Sequence, residues 1–553
     1  MAAVITSRGV HRSRPTALAA AAAALRAAVS TTVVAVAAAT GLGFGVRLGL
    51  VLAGQWPLND GGMFFAMARD LSANGWRIPA ETSYNGLHLP FAYSPFSFYL
   101  ADAVSAVGHV SLIHVFMYLP PVASAATVLA AYLLFRAMLP SRASAKLATF
   151  VFALLPAGFL WLITGGGVAR AVGLLFGVLA VHQAHRLFVQ HKGRALVPLA
   201  ALVSLALASH LETGAWAATT CVAFMAVYRR DRAGALWLAA AGALSLALTA
   251  PWWATVVAQH GLSPFLNAST TGGLNPLGPI ELAGLQITAE PGFPLLGGLA
   301  LLGAIVCIRT GRYFLPAWPA VILAFDTRAG ATYAMIPIAM LAAIGFVECL
   351  LPLLSSRSPG ALGPVVSDGR NPRRATVAAL CVGVYTLAAL ATLPFASREP
   401  TRALASSTRS AMAWVKSETP AGTTFLVVSG QPDWQLDAAA EWFPVLAARR
   451  SLATVQGTEW DGAARFTRAT EEAKALQACA GRDGACLFAW MQAAHTWPQY
   501  VYVGNELYAD LSGRASPCCG GLLQSLAHDP GYREVFQNAG AAVFERVAAT
   551  SPR

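Results

Sequence analysis

AVSTTVVAVAAATGLGFGVRLGLVLAGQWPLNDGG, residues 28–62, passes from an apolar run straight into a polar turn. Residues 28–52 carry one charge, Arg47, and outlast the roughly 20 residues a helix needs to cross a bilayer. Arg8, Arg12, Arg14 and Arg26 precede the run. Cleaved signal peptides and uncleaved anchors share that basic flank, but a signal core is only about 7–15 residues long, so the length favours an anchor. The composition continues the theme: the 553 residues are 56% hydrophobic and 12% charged, with a mean hydropathy of +0.55. Soluble domains hold about 25% charged residues. A water-soluble globule and a disordered chain are both excluded, and the bilayer is the expected solvent.

The charge divides the chain. Residues 1–396 hold 24 Lys and Arg against 11 Asp and Glu, a net of +13, whereas residues 397–553 hold 14 against 15, a net of −1. The excess of +12 is therefore no nucleic-acid footprint. It gathers in short loops between apolar segments, at Arg136/Arg142/Lys146, Arg186/Lys192/Arg194, Arg229/Arg230/Arg232, Arg309/Arg312 and Arg357/Arg370/Arg373/Arg374, as the positive-inside rule produces. Apolar segments between these clusters fall near 28–52, 112–137, 147–163, 168–187, 195–209, 213–228, 233–256, 294–308, 313–325, 331–354 and 375–396. The expectation is an all-α polytopic membrane domain of about eleven transmembrane helices, up to thirteen, with the N-terminus inside. Pro95–Val107 is the main uncertain segment. On this topology 19 of the 24 basic residues lie inside, while Asp60, Asp70, Glu81, Asp102, Glu212, Glu281, Glu290 and Asp326 lie outside. Glu348, toward the inner end of a span, reads as structural.

Three regions follow: a cytoplasmic segment 1–27, a membrane domain 28–396 with an outer loop 53–97, and a small extracytoplasmic α/β domain 397–553. The tail alternates periods of helix and strand, with helices over Thr401–Ser417, Asp437–Ala448 and Ala463–Ala478 and strands at Thr424–Ser429, Gln499–Val503 and Ala541–Val547. Four of the eight cysteines, Cys479, Cys486, Cys518 and Cys519, lie in it. In an exported domain they read as disulfide candidates. Their spacing does not suit zinc. Because vicinal cysteines seldom bond each other, the expected pattern joins the 479/486 region to the 518/519 region.

The loop after the first span, WPLNDGGMFFAMARDLSANGWRIPAETSYNGLHLPFAYSPFSFYLADAV (56–104), sets an acid before two glycines and ends in Tyr93-x-Pro95-x-x-x-Tyr99. This pattern resembles the first loop of polyprenyl-phosphate-sugar-dependent membrane glycosyltransferases of the C-type fold, the superfamily of protein mannosyltransferases and aminoarabinose transferases. The Asp-Glu pair of the mannosyltransferases is absent, since Asn59 and Gly61 flank Asp60. GGGVARAVG (165–173), SHLETG (209–214), DTRAGATYAMIPIAMLAAIG (326–345), EWFPVLAARRSLATVQGTEW (441–460) and FQNAGAAVFER (536–546) are similar to segments of bacterial members of this class. The resemblance implies an inverting glycosyltransferase of the cytoplasmic membrane and cell envelope, with Asp60 as its catalytic residue. Its implied partners are a polyprenyl-phosphate-linked sugar and a glycan, lipid or protein acceptor.

The chemistry gives Asp60 a separate rationale. A lipid-phosphate sugar carries its own good leaving group, so transfer needs a base for the acceptor hydroxyl and positive charge for the departing phosphate. A glycosidase, by contrast, needs a pair of carboxyls. Asn-Asp-Gly-Gly is equally a strong turn signal. Tyr93, Tyr99, Arg170, His210, Glu212 and Arg328 are the substrate-binding candidates. Arg170 and Arg328 suit a phosphate; against Arg328 stands a local pairing with Asp326. His210 and Glu212 suit phosphate, acceptor or, with Asp60, a divalent metal; against them stands helix capping. Residues 260–293, a Gly- and Pro-rich loop, suit a lid or an acceptor-binding element. The rival readings are a transporter or flippase of lipid-linked sugars, a scaffold displaying the tail, and transfer of a whole oligosaccharide. Carriers usually bind at the bilayer midplane between related halves, whereas here the polar residues collect at one face.

Overall fold

The computed structural model describes residues 17–270, 279–280, 282, 285–290, 293–326, 329–355, 372–396, 401–509 and 515–547. Away from water a backbone can satisfy its N–H and C=O groups only internally, and the apolar segments accordingly fold as helices. α1 (Ala17–Gly54) leads into a loop holding α2 (Gly62–Ala73) and α3 (Phe96–Gly108). Then come α4 (Leu112–Met138), α5 (Arg142–Leu154), α6 (Gly167–Ala184), α7 (Leu196–Ser209), α8 (Leu211–Tyr228), α9 (Arg232–His260) and α10 (Ser263–Thr270). α11 (Leu295–Arg309), α12 (Phe314–Phe325), α13 (Gly330–Ile344), α14 (Leu351–Ser355) and α15 (Pro372–Ala396) complete this half.

Each of the eleven segments read from the sequence is largely helical, but fewer are span-length helices. Among the described residues six stretches are long and apolar enough to cross a membrane: Thr31–Gly54, Leu112–Met138, Gly167–Val189, Arg232–His260, Gly330–Ser355 and Arg373–Pro394. A seventh is the pair Arg142–Leu154 and Pro156–Leu162, bent by 83°. The shortfall has local causes. Pro156 cannot continue α5, and between α7 and α8 His210 turns extended (φ −154°, ψ 114°) and caps the next helix through its side chain. At about 1.5 Å per residue, the 14 residues of α7 fall short of a hydrocarbon core about 30 Å thick. Pro95–Val107 forms α3, of 13 residues, also too short.

α13 is the buried centre, packed on α5, α11 and α12. Its last turn meets α11 backbone to backbone: a Cβ on Gly303 would lie 1.9 Å from the Leu341 carbonyl oxygen, so only glycine permits this approach. α15 is the opposite case, with Leu380, Val384 and Leu387 all exposed, as suits a lipid-facing helix. Arg47 is 1% exposed. It donates to Ser124 Oγ (2.8 Å) and to the carbonyls of Gly43 (2.8 Å) and Ala153 (2.7 Å), tying α1 to α4 and α5. Glu348 pairs with Arg312 at 2.9 Å.

The tail is a mixed sheet with helices on both faces. It comprises α16 (Ser406–Glu418), β1 (Thr424–Val428), α17 (Ala438–Leu446), β2 (Arg450–Ser451), α18 (Ala463–Gln477), α19 (Gly484–Ala493), β3 (Tyr500–Gly504), β4 (Leu507–Ala509), β5 (Ala515–Pro517), α20 (Gly520–Ala527), β6 (Tyr532–Gln537) and β7 (Ala541–Arg546). The main sheet runs β2-β1-β3-β7-β6, with β1 parallel to β2 and β3 and β7 antiparallel to β3 and β6. Alternation along β1 sends Leu426 and Val428 to a core with α18, α19 and α20, and Phe425 and Val427 to one with α16 and α17. This second face looks toward the membrane half, where Trp442 of α17 packs against Trp56 and Phe65.

The cysteines pair differently from expectation. Cys479 bonds Cys486, and Cys518 bonds its neighbour Cys519. A short turn between α18 and α19 brings the first two to a Cα separation of 5.6 Å, so each pair closes within its own segment and no bond joins the two regions.

Candidate active site

Asp60 stands where the two halves of the chain meet. Leu58 bridges to Thr164 on one side and Ala403 on the other. The Asn59 N–H donates to the Arg402 carbonyl (2.7 Å), and the Gly165 N–H to that of Leu58 (2.7 Å). The turn signal at Asn59–Gly62 is real: Asn59 (φ 49°) and Gly61 (φ 122°) take left-handed conformations. Close approach adds a second demand, since a Cβ on Gly165 would lie 2.0 Å from the Asp60 carbonyl oxygen and one on Gly62 2.5 Å from that of Glu441.

This turn aims the Asp60 carboxylate at the start of α6. Oδ1 accepts from the Gly166 N–H (2.9 Å) and Oδ2 from Arg170 Nη2 (2.6 Å). Arg170 is fixed further by the Trp161 carbonyl (3.0 Å) and Thr164 Oγ1 (2.6 Å). With side-chain exposures of 15% for Asp60 and 20% for Arg170, the pair is largely shielded. Charge-assisted bonds of this geometry are among the strong ones. Arg170 is therefore paired with Asp60 while it also lines the adjoining cavity.

A cavity of about 560 Å³ opens over the pair, within the range of ligand sites. Its polar end holds Asp60, Arg170, Tyr93, Glu441, Gln456 and Glu459. Its other end runs between α8 and α12 and is lined by Ala215, Thr219, Ala223, Val321, Ile322 and Phe325. Tyr93, His210 and Glu212 also line it. Tyr93 lies 6.2 Å from both the His210 and Trp460 rings. His210 Nδ1 is 3.0 Å from Thr213 Oγ1, and Nε2 is 3.8 Å from Glu212; His210 caps α8 through its side chain and Glu212 lies in the first turn of that helix, while both face the cavity. Tyr99 is not brought to the site: it stacks on Trp76 and donates to the Trp76 carbonyl (3.0 Å). Arg328 lies outside the described residues. Of residues 260–293, α10 reaches the cavity through Phe265, Ala268 and Ser269, and Asn267 donates to the Trp460 carbonyl (3.0 Å).

The tail supplies what sequence reasoning missed. Glu441, 6% exposed, accepts the Gly61 N–H on Oε1 (2.8 Å) and Gln456 Nε2 on Oε2 (3.3 Å). Trp442 Nε1 donates to the Asn59 carbonyl (3.0 Å). Burial, and then the nearby Asp60 charge, push the Glu441 carboxyl up to about 8. Burial first and Glu441 second hold the Tyr84 phenol well above its ordinary value. A signal was present: Glu441 is the only charge in α17, AAAEWFPVL, and lone charges in apolar helices are seldom buried without cause. Among the described residues no three His, Cys, Asp or Glu side chains gather as a metal site, and Asp60, His210 and Glu212 each hold protein partners instead.

No protein-family model and no curated protein matches the chain. Solved structures do. ArnT from Cupriavidus metallidurans bound to undecaprenyl phosphate superposes at a TM-score of 0.52 and 14% identity, over 95% of this chain and 99% of that one. The archaeal oligosaccharyltransferase AglB from Archaeoglobus fulgidus, in complex with an inhibitory peptide and a dolichol-phosphate, gives 0.50 at 12% identity, over 88% and 74%. The arabinofuranosyltransferase AftD from Mycobacteria gives 0.50 at 15% identity over 92% of this chain, which spans only 40% of that one. Identities this low speak to architecture alone: the chain has the C-type fold of membrane glycosyltransferases.

Proposed function

We propose that this protein is a membrane glycosyltransferase that moves a sugar from a polyprenyl-phosphate carrier to an acceptor hydroxyl, with inversion, at the outer face of the cytoplasmic membrane. The observation that carries the reading is the cavity, whose lining joins the fixed Asp60 carboxylate to a largely apolar stretch contributed by α8 and α12. A lipid-phosphate sugar has the matching form: an apolar tail, a charged link and a polar head. The undecaprenyl phosphate in the ArnT structure and the dolichol-phosphate in the AglB structure support this donor class.

In this mechanism Asp60 takes the acceptor proton as the acceptor oxygen bonds to the sugar carbon and the carbon–phosphate oxygen bond breaks. The polyprenyl phosphate leaves as an anion and needs no acid. Arg170 and the Gly166 N–H hold the carboxylate at one angle, which is positioning work. Arg328 is assigned the phosphate. One structure of the Archaeoglobus fulgidus enzyme is a complex with Zn and sulfate; among the described residues here no three His, Cys, Asp or Glu side chains gather, and no step is routed through a metal.

The test is to incubate purified protein with a panel of polyprenyl-phosphate sugars and follow acceptor-dependent loss of each. Asp60→Asn should lower turnover by about 10²- to 10⁴-fold with donor binding largely kept, and Arg328→Ala should weaken donor binding as well. Near-normal transfer by a folded Asp60→Asn protein overturns the assignment of the base. If the wild type consumes no donor, the carrier reading takes its place. The eleven-helix topology with the tail outside is tested by protease protection: a tail sealed on the cytoplasmic side overturns it.

A further inference from the structure

The polar end of the cavity holds more acid than base. Asp60, Glu441 and Glu459 line it together, and Arg170 is the only lysine or arginine among the described lining residues. Arg170 is spent on Asp60. Glu441 is bound instead by two neutral donors, the Gly61 N–H and the Gln456 amide, and no ion pair to it forms among the described residues. Two shielded carboxyls beside one guanidinium do not both ionise readily, because the second charge meets the first and has no partner of its own.

The other charged groups around Glu441 do not relieve it. From the α2 side comes Asp60, while Asp70 accepts from Thr82 and Ser83. The turn at 84–86 brings Tyr84, whose hydroxyl donates to the Glu441 carbonyl (2.8 Å). From 457–460 comes Glu459, whose carboxylate accepts from the Gly457 N–H (2.9 Å). At the start of its own helix Asp437 accepts from the Ala440 N–H (2.9 Å) and Ser429 Oγ (2.7 Å). Arg402, the nearby cation of the tail, pairs with Glu506.

We propose that Glu441 works as an un-ionised carboxyl that sets the charge of the site, leaving one carboxylate against one guanidinium so that an anionic lipid phosphate can enter. This rests on the donor class proposed above. Ionising Glu441 would add a negative charge to the wall of the cavity, where shielding from water lets charges act over longer distances. Burial and the Asp60 charge push the Glu441 carboxyl up, to about 8, so affinity for an anionic ligand should be highest at neutral pH and below and should decline through mildly alkaline pH. Glu441 acts through charge and position, and Asp60 remains the group that meets the acceptor.

The experiment uses the full chain in lipid nanodiscs and undecaprenyl phosphate alone as the probe, with binding followed by tryptophan fluorescence from pH 6.5 to 9.5. For the wild type the affinity should fall about tenfold or more across that range, and for Glu441→Gln it should stay nearly level. The second ionisation of the phosphate is common to both proteins and cancels in their ratio. Infrared titration of the ligand-free wild type gives a second readout: a protonated-carboxyl band should be lost through mildly alkaline pH, and that alkaline-titrating band should be absent from Glu441→Gln. A missing band, or the same pH dependence in both proteins, overturns the proposal. A band that titrates as expected while undecaprenyl phosphate fails to bind either protein at any pH overturns the donor class, and with it the ligand assigned to this device.

Discussion

The membrane half and the tail approach Asp60 from opposite sides and hold it by different means. The membrane half grips the side chain with charge, through Arg170 and the Gly166 N–H. The tail grips the backbone with neutral groups, through the Arg402 carbonyl, the Trp442 indole and the Glu441 carboxyl. One side sets the orientation of the carboxylate; the other sets where the loop lies. A constellation divided this way depends on the seam as much as on either half.

The seam is therefore where substitution should cost most. Gly165→Ala drives a methyl into the Asp60 carbonyl at 2.0 Å, backbone against backbone with nothing flexible to give way. Transfer should fall at least about a hundredfold, as small misplacements of a catalytic group do, while circular dichroism stays close to wild type. Next comes Arg170→Ala, which leaves Asp60 shielded and unpaired; about 3 kcal/mol of stability should be lost, seen as a lower thermal midpoint together with lost activity. Trp442→Phe removes one hydrogen bond from the tail side. About 1 kcal/mol and a severalfold loss of rate should follow, and an effect as large as that of Arg170→Ala would refute the division of labour.

Away from the seam the effects should fall on stability and leave transfer nearly intact. Cys479→Ser opens a seven-residue separation, worth roughly 2 to 3 kcal/mol in the chain-entropy treatment. Loss of the Cys518–Cys519 bond, which closes almost no chain, should change denaturant midpoints far less. The Arg312–Glu348 pair, with side chains 33% and 30% exposed, should be worth under about 1 kcal/mol in a double-mutant cycle and leave transfer untouched.

Much of this was legible in the sequence, for physical reasons. Apolar runs declare helices because lipid leaves the backbone no alternative, and the strands at 424–428, 500–504 and 541–546 announce themselves by β-branched and aromatic alternation. Asp60 stood out through its two glycines, whose need lies in the turn and its close neighbours. What sequence did not reveal was partnership across long separations. Arg170 looked like a free cation because nothing within 100 residues shows that Asp60 claims it. Glu441 looked like a tail residue because 380 residues separate it from the Gly61 N–H it accepts. The break at His210 was legible too, since the apolar segments 195–209 and 213–228 part there; hydropathy alone does not fix the number of spans, because a helix as short as the 14 residues of α7 reads the same whether or not it crosses.

The bond from the Asn59 N–H to the Arg402 carbonyl, and that from Trp442 to the Asn59 carbonyl, carry a consequence for biosynthesis. A ribosome makes the loop bearing Asp60 some 340 residues before it makes the residues that position it. Through that interval the membrane helices can insert and pack, yet the nascent chain lacks a finished centre. Activity then arrives late and all at once, when the tail folds back onto the first loop, so a chain stalled or cut before residue 442 should be a well-inserted but silent protein.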